Sequence, residues 1–252
     1  MHVNRLTVVP VKGLRATHPA TVAVTPTGIV GDRQFFLVDA ADKLFSASRT
    51  GAFLGARASW SPGVLDVSGV RAPIELGPAV DADFYGLKQV AAHEVLGPWS
   101  AYFSGLAGQP VRLVHADEPN GGCDVHALTL LGDASVGELA SRAGVASVDS
   151  RRFRMSVEFA GGAPHAEDGW SGAAFRAGSV VLRVGGPVPR CAATTRHPDG
   201  GATDLKTLHL IKGYRGVTTG ELGRGIHFGV YADVVEPGEI SVGDELVPAE
   251  YT

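Results

Sequence analysis

The hydrophobic pattern in the first half of the chain is typical of short β-strands separated by turns. Apolar, aromatic and β-branched residues form short runs, and glycine, proline and aspartate interrupt them. Residues 57–74 contain two such turns, Pro62-Gly63 and Ser68-Gly69, and therefore read as paired strands. The pattern predicts strands at 3–11, 20–25, 34–38, within 57–74, and at 111–115.

Helices are predicted in both halves of the chain, and the second half adds further strands. Residues 98–106 carry four apolar side chains on one helical face: Trp99, Tyr102, Phe103 and Leu106. A second helix is predicted from Asp133, which is placed to cap it, and Ser135 and Glu138 have capping-box spacing. A third helix is predicted at 203–214, and strands are predicted at 153–159, 179–184, 229–235 and 240–247.

The order of these elements shows no regular βαβ alternation, which argues against a parallel Rossmann-type sheet. We therefore predict a mainly β (α+β) protein with barrel-like sheets and a few helices. The polar, turn-rich segment 116–123 is the best candidate for a domain boundary.

Composition narrows the function classes. Hydrophobic residues make up 44% and charged residues 19% of the chain, which excludes intrinsic disorder. The net charge of −4 provides no basic field, so we expect no nucleic-acid partner. There is no apolar run of about 18 residues and no secretory leader pattern, so we expect no membrane partner. With only two cysteines the chain is no disulfide scaffold, and we expect it in the reducing cytoplasm.

Cys191 is the most informative candidate for chemistry. It follows the proline-rich end of a predicted strand, directly after Pro189 and Arg190. A thiol beside a guanidinium group favours the thiolate, which is the form that attacks or binds metal. The alternative is that Cys191 is a small buried apolar residue, as free cysteines commonly are.

Two further uses of the thiols remain open. Cys123 and His126 lie close in sequence, and Cys191 and His197 follow later, so a zinc site is conceivable although the spacing matches no standard finger. A cysteine–histidine nucleophile pair is equally conceivable.

Four cationic residues also stand out: Lys12, Arg33, Arg154 and Arg190. The default interpretation of each one, taken singly, is a solvated surface charge. The alternation of residues 153–159, however, places Arg154 inside a predicted strand. If the four converge near Cys191, they form a phosphate-anchoring pocket beside a soft metal ligand.

Several segments, in order, resemble a known family. They are Val9–Gly13, Gly28–Arg33, Asp133–Leu139, Arg152–Arg154, Glu167–Trp170, Phe228–Tyr231 and Ile240–Asp244, and the most specific is Pro189–Thr195. Together they resemble proteins with a molybdenum cofactor sulfurase C-terminal (MOSC) domain and an N-terminal β-barrel, especially the mitochondrial amidoxime-reducing component and its bacterial counterparts. The resemblance implies an N-terminal barrel-like domain at 1–115 packed on a MOSC β-barrel domain at 116–252, with one shared cofactor site.

The resemblance also implies a molybdenum cofactor, with Cys191 as the protein ligand of the metal. Cys191 and Asp124 are then the catalytic residues. The implied cofactor contacts are Lys12, Gly13, Arg33, Asp124, Val125, His126, Arg154, Ser156, Pro189, Arg190, Cys191 and Tyr231.

The implied reaction is two-electron reduction of a small N-hydroxylated or N-oxide substrate. An iron–sulfur cluster needs about four cysteines, so electrons are expected from a separate ferredoxin- or cytochrome-type donor with its reductase. The alternative is a non-catalytic cofactor carrier or sulfur-handling protein. It is favoured by three departures from the family pattern, which are Gly13, Gly132 and Ser156.

Overall fold

The computed structural model describes residues 1–250, so the last two residues of the predicted domain 116–252 lie outside the described part. The protein is mainly β, with 44% of residues in strands and 17% in helices. The strands are β1 (His2–Leu6), β2 (Thr21–Thr25), β3 (Gly28–Ile29), β4 (Phe35–Val38), β5 (Ala58–Ser61), β6 (Val64–Val67), β7 (Val70–Pro73), β8 (Glu75–Phe84), β9 (Lys88–Leu96), β10 (Arg112–Ala116), β11 (Leu128–Gly132), β12 (Val157–Ala160), β13 (Ala174–Ala177), β14 (Val180–Pro189), β15 (Thr218–Gly220), β16 (Gly223–Gly225), β17 (His227–Glu236), β18 (Gly238–Ser241) and β19 (Leu246–Ala249). The helices are α1 (Trp99–Ala107), α2 (Asp133–Ala143) and α3 (Thr207–Arg215), with 3-10 turns at Ser150–Phe153, Ala166–Trp170 and Ala192–Thr195.

A curled seven-stranded sheet forms the larger core, in the order β1-β12-β11-β17-β14-β13-β19. Its pairs are antiparallel except β11 with β12. Alternate residues of each strand face inward, so that Val3, Leu130 and Phe159 are fully buried in one cluster. Strand β1 thus joins a sheet that is otherwise built from residues 128–249. The domain boundary between residues 115 and 116 stays a prediction.

The second core lies between smaller sheets of the first half. One sheet has the order β4-β10-β9-β8 and another the order β5-β6-β7. Helix α1 packs Trp99 and Phe103 into this core, and the Trp99 indole donates a hydrogen bond of 3.0 Å to the Val70 carbonyl. Within residues 1–250 no helix is both long and apolar enough to cross a bilayer.

Several predicted elements are confirmed. The turns at Pro62-Gly63 and Ser68-Gly69 connect β5, β6 and β7 as expected. Helix α1 begins one residue after the predicted start and ends one residue after the predicted end. A helix does begin at Asp133, but its cap prediction is wrong, because the capping position is Gly132 and has no side chain. The Ser135 hydroxyl instead donates to the buried Glu167 carboxylate at 2.8 Å.

Other boundaries predicted from the pattern are wrong. The strand predicted at 153–159 starts only at Val157, because a 3-10 turn occupies Ser150–Phe153. The third helix starts at Thr207 rather than 203, and the first strand ends at Leu6 rather than 11. The strand predicted at 240–247 is two strands in different sheets, separated by a turn at Gly243, whose φ is +98°.

The long hairpin β8–β9 was not predicted. Its inward positions are apolar, with Val80, Ala82 and Phe84 buried and alternating with the exposed Asp81 and the half-buried Asp83. The alternation of buried and more exposed residues ends at the turn Tyr85-Gly86. The same alternation is visible in the sequence and would have predicted the hairpin. The hairpin tip forms part of the candidate site.

Candidate functional site

One cleft brings residues from both halves of the chain together. It encloses about 860 Å³ of space counted out to its mouth. Its wall contains all four cationic residues singled out in the sequence and also Cys191. Of the other implied site residues, the wall includes Gly13, Asp124, His126, Ser156, Pro189 and Tyr231, whereas Val125 lines an adjoining hollow.

The turn between β3 and β4 positions Arg33. The buried Asp32 carboxylate accepts a hydrogen bond of 2.7 Å from the Val9 amide and pairs with the Arg33 guanidinium. Burial works against the charge of Arg33, but the adjacent Asp32 carboxylate raises its pKa above the ordinary value. Asn120 donates to the Ile29 and Asp32 carbonyls at 2.6 and 2.7 Å and fastens this turn to the segment before β11.

Lys12 links the beginning of the chain to the segment before β11. Its ammonium donates to the Gly122 carbonyl at 2.7 Å and to Asp124 Oδ1 at 2.8 Å. Partial desolvation raises the pKa of Asp124, but the Lys12 ammonium outweighs this and keeps the pKa below its ordinary value. Asp124 is therefore an ionised hydrogen-bond acceptor in the wall of the cleft.

Arg154 is not in a strand, which corrects the sequence prediction. It ends the 3-10 turn in the left-handed region, with φ of +56°. This backbone turns its side chain into the cleft, where the guanidinium donates to the Leu14 carbonyl at 2.7 Å. Desolvation by burial, with some repulsion from Arg33, lowers the pKa of Arg154 to about 10.

Arg190 is held by main-chain carbonyls at the end of β14. Its guanidinium donates to the Phe228 carbonyl at 2.8 Å and the Phe153 carbonyl at 3.1 Å, and lies over the Phe153 ring. Gly229, with φ of +76°, makes room, because a Cβ there would lie 2.6 Å from the Met155 methyl group. Desolvation by burial lowers the pKa of Arg190 to about 10.

Arg154 and Arg190 share one electrostatic feature. Among residues 1–250 neither forms an ion pair with a carboxylate, in contrast to Lys12 and Arg33. Both guanidinium groups nevertheless lose part of their hydration in the cleft. A desolvated cation without a counter-charge is costly, and an anion bound beside these two groups would lower that cost.

Cys191 is exposed, which overturns the alternative of a buried apolar thiol. It directly precedes the 3-10 turn Ala192–Thr195. The following loop is clamped in place, since the Arg152 guanidinium binds Asp204 and the Thr194 carbonyl, at 3.0 and 3.1 Å from Nη1. Arg196 ties the same loop to the first half by donating to the Ala47 carbonyl at 2.9 Å.

His126 and Tyr231 form the side of the cleft near its mouth. The His126 ring lies 4.8 Å from the Tyr231 ring and contacts Glu221 Oε2 and Asp233 Oδ1 at 2.8 Å each. Burial lowers the pKa of His126, but the two carboxylates outweigh it and raise the pKa above the ordinary value. Desolvation raises the pKa of Tyr231 to about 12, so its phenol keeps its proton.

The three departures from the family pattern have different surroundings. Gly13 lines the cleft with φ of +95°, and Ser156 lines it while its amide donates to the Thr129 hydroxyl at 2.9 Å. Gly132 lies outside the cleft wall, packed under Phe159 and Glu167.

Sequence reasoning missed a set of hydroxyl groups in the cleft. Ser46 lies within 3.0 Å of both the Ser48 hydroxyl and the Tyr85 hydroxyl. Thr129 and Thr194 add two more to the wall. Thr194 belongs to the segment Pro189–Thr195, but Ser46, Ser48 and Tyr85 have no local pattern that marks them, because the fold alone brings them to the cavity.

Two family models match the chain. The MOSC domain matches residues 117–247, and the MOSC N-terminal beta barrel domain matches residues 1–83. The chain belongs to the MOSC domain family. No curated protein matches the MOSC chain in sequence.

The solved structures that the chain matches include YuaD from Bacillus subtilis, which is 10% identical, with a TM-score of 0.49 over 100% of this chain and 96% of that chain. YiiM from Geobacillus stearothermophilus is 17% identical, with a TM-score of 0.34 over 50% of this chain and 55% of that chain. YiiM from Escherichia coli is 18% identical, with a TM-score of 0.35 over 50% and 56%. The MOSC chain thus spans about half the length of the two YiiM chains.

The MOSC domain is associated with binding of the molybdenum cofactor. The donor set of the cleft fits such a group. It combines one exposed thiol, two guanidinium groups without acidic partners, and several hydroxyls. A thiol is a soft ligand suited to a soft metal site, and guanidinium groups are suited to phosphate.

The residues proposed for a zinc site do not assemble as one. Within residues 1–250 there is no group of three or more histidine, cysteine or acidic side chains arranged to hold a metal ion. Cys123 is buried, and desolvation raises the pKa of its thiol, while both ring nitrogens of His126 contact carboxylates. His197 accepts a hydrogen bond from the Asp199 amide.

Proposed function

We propose that this MOSC protein binds the molybdenum cofactor in the cleft and reduces small N-hydroxylated or N-oxide compounds. The observation that carries the proposal is the position of the exposed Cys191 thiol in the same wall as Arg154 and Arg190, two cations without carboxylate partners. An anionic ligand with a soft metal satisfies both features at once.

The cationic residues are proposed to hold the cofactor by its phosphate. Arg154 and Arg190 have donors directed to main-chain carbonyls and no competing acid, so an incoming phosphate supplies their missing counter-charge. Lys12 and Arg33 already pair with Asp124 and Asp32, and they add positive potential to the wall. The hydroxyls of Ser46 and Thr194 are available to pterin oxygens and nitrogens.

The cofactor, when bound, supplies two-electron and oxygen-atom transfer chemistry. Cys191 is proposed as its protein ligand. In the net reaction an N-hydroxy group takes up two electrons and two protons, the N–O bond breaks, and the amine-level product and water leave. Both Tyr231 and Asp124 line the cleft with Cys191, so we assign the protonated Tyr231 phenol to donate a hydrogen bond to the N–O oxygen and the ionised Asp124 to accept one from the substrate.

The electrons are proposed to come from a separate ferredoxin- or cytochrome-type donor with its reductase. The chain contains two cysteines, both of them free, which is too few for a cluster of its own. Free thiols also fit a reducing compartment, so a cytoplasmic location is part of the proposal.

Metal and pterin analysis tests the cofactor assignment. Protein made in a cofactor-competent host should contain about one molybdenum per chain, and Cys191→Ala should lose most of it. Cys123→Ala is the matched control, because Cys123 is the other cysteine of the chain. Equal molybdenum in Cys191→Ala and the wild type would refute the ligand assignment.

A turnover assay distinguishes the two hypotheses, an enzyme and a non-catalytic cofactor carrier. Molybdenum-loaded protein reduced by dithionite should convert an amidoxime to the amidine. Full cofactor loading without turnover would favour the carrier instead.

A further inference from the structure

A second hollow adjoins the cofactor cleft and has a different character. It encloses about 670 Å³, counted out to its mouth, and shares six residues with the cleft, which are Tyr85, Asp124, Pro189, Arg190, Cys191 and Tyr231. Its remaining wall is apolar, formed by Phe84, Leu87, Val125 and Leu222. We call this hollow the apolar chamber. Cys191 thus stands on the border between a cationic cavity and an apolar one.

Four side chains of the chamber, Tyr85, Leu87, Val125 and Leu222, lie on three exposed turns. Tyr85 and Leu87 are on the tip of hairpin β8–β9, Leu222 is on the tip of hairpin β15–β16, and Val125 precedes β11. Leu87 is 61% exposed and Tyr85 54%, and the other two are 37% exposed. Turn tips are usually glycine or polar residues, so large apolar groups gathered around one opening indicate a binding surface.

The three turns around the opening, which we call the rim, are held in place by hydrogen bonds. The Tyr85 hydroxyl lies 3.0 Å from the Ser46 hydroxyl, and the Gly86 amide donates to Asp83 Oδ1 at 2.6 Å. On the other side, Glu221 beside Leu222 contacts the His126 ring at 2.8 Å. The chamber is therefore preformed.

We infer that the apolar chamber selects the substrate, and that the substrate class is small N-oxygenated compounds with an uncharged, ring-sized apolar body. This inference rests on the proposed function. The chamber's size falls within the range of small-molecule sites, and Tyr85 and Phe84 offer aromatic surfaces to a ring. The N–O group then faces Cys191 while the body fills the chamber.

Ligand-observed NMR titration tests the inference without requiring turnover. The probes are benzamidoxime, which has a phenyl body, and acetamidoxime, which has only a methyl group. We expect Leu87→Asp and Leu222→Asp to weaken phenyl-probe binding about tenfold, because a charge replaces apolar contact area. The methyl probe should bind all variants within about twofold of the wild type.

Leu76→Asp is the matched control, since Leu76 is an exposed leucine (49%) at the far end of the same hairpin, outside the chamber. Equal phenyl-probe affinity in Leu87→Asp and Leu76→Asp, or no preference for phenyl in the wild type, would overturn the inference. Molybdenum content, measured on the same samples, reports separately on the proposed cofactor. If Leu87→Asp instead slows only reduction by a protein donor and not by dithionite, the rim is a protein-docking surface and the inference is wrong.

Discussion

The guanidinium of Arg33 donates a hydrogen bond of 2.8 Å to the main-chain carbonyl of Arg154. The contact joins the two halves of the chain at the floor of the candidate site. It also places two cations side by side, and their repulsion contributes to the lowered pKa of Arg154. The two differ in one respect that can be tested, because Arg33 has a buried acidic partner and Arg154 has none.

Replacing Arg154 should affect the cofactor more than the fold. In Arg154→Met a desolvated cation and one hydrogen bond to Leu14 disappear together, so their contributions largely cancel. We expect the unfolding free energy of the cofactor-free protein to change by less than about 1 kcal/mol. Molybdopterin content should fall severalfold in the same variant. Urea unfolding and pterin analysis measure the two effects, and unchanged pterin content would contradict the role.

Replacing Arg33 should damage the fold itself. Arg33→Met leaves the Asp32 carboxylate, which is 1% exposed, without its counter-charge. Breaking a buried pair from one side costs about 3–5 kcal/mol. Urea unfolding of cofactor-free protein should show this loss, and the double variant Arg33→Met with Asp32→Asn should recover part of it. A loss below about 1 kcal/mol would mean that the pair is not buried as described.

Gly201 and Gly51 fix the loop that follows Cys191. A Cβ on Gly201 would lie 1.9 Å from the Gly51 carbonyl oxygen, and Gly201 has φ of +73°. Gly201→Ala therefore combines a steric clash with backbone strain and should destabilise the protein by about 2–4 kcal/mol. The neighbouring Gly200→Ala is the control, because nothing lies within 4 Å of its Cβ position. Thermal unfolding of both variants tests this prediction. Equal melting temperatures would contradict the close packing of Gly201 against Gly51.

The His126 contacts predict a pH-dependent stability. The pKa of His126 is raised in the folded protein, so the folded state holds the proton more tightly than the unfolded chain. Its stabilisation should be complete below the unfolded value of about 6.5 and lost as pH rises through the folded pKa. The difference in unfolding free energy between the wild type and His126→Gln should therefore shrink between pH 6 and pH 9. A difference that is constant across this window would show that the ring does not titrate there.

The local pattern predicted much of the fold but placed some functional residues wrongly. The turn residues Pro62-Gly63 and Ser68-Gly69 predicted the strands β5, β6 and β7, and the apolar face of residues 98–106 predicted helix α1. The alternation of residues 153–159 put Arg154 in a strand, because a 3-10 turn ending in a left-handed residue has no apolar period. The actual position of Arg154 depends on its contacts with Leu14 and Arg33, far away in the chain.

The sequence by itself determined the mainly β class, the candidate thiol and the four cations, because residue type and short-range spacing express backbone preference and chemistry directly. Only the tertiary structure decided that these cations line one cleft with Cys191, that Arg154 and Arg190 lack acidic partners, and that an apolar chamber opens beside them. Charge pairing and cavity walls depend on distances through space. Here those distances join residues more than 100 positions apart, such as Lys12 and Asp124, and no local pattern encodes them.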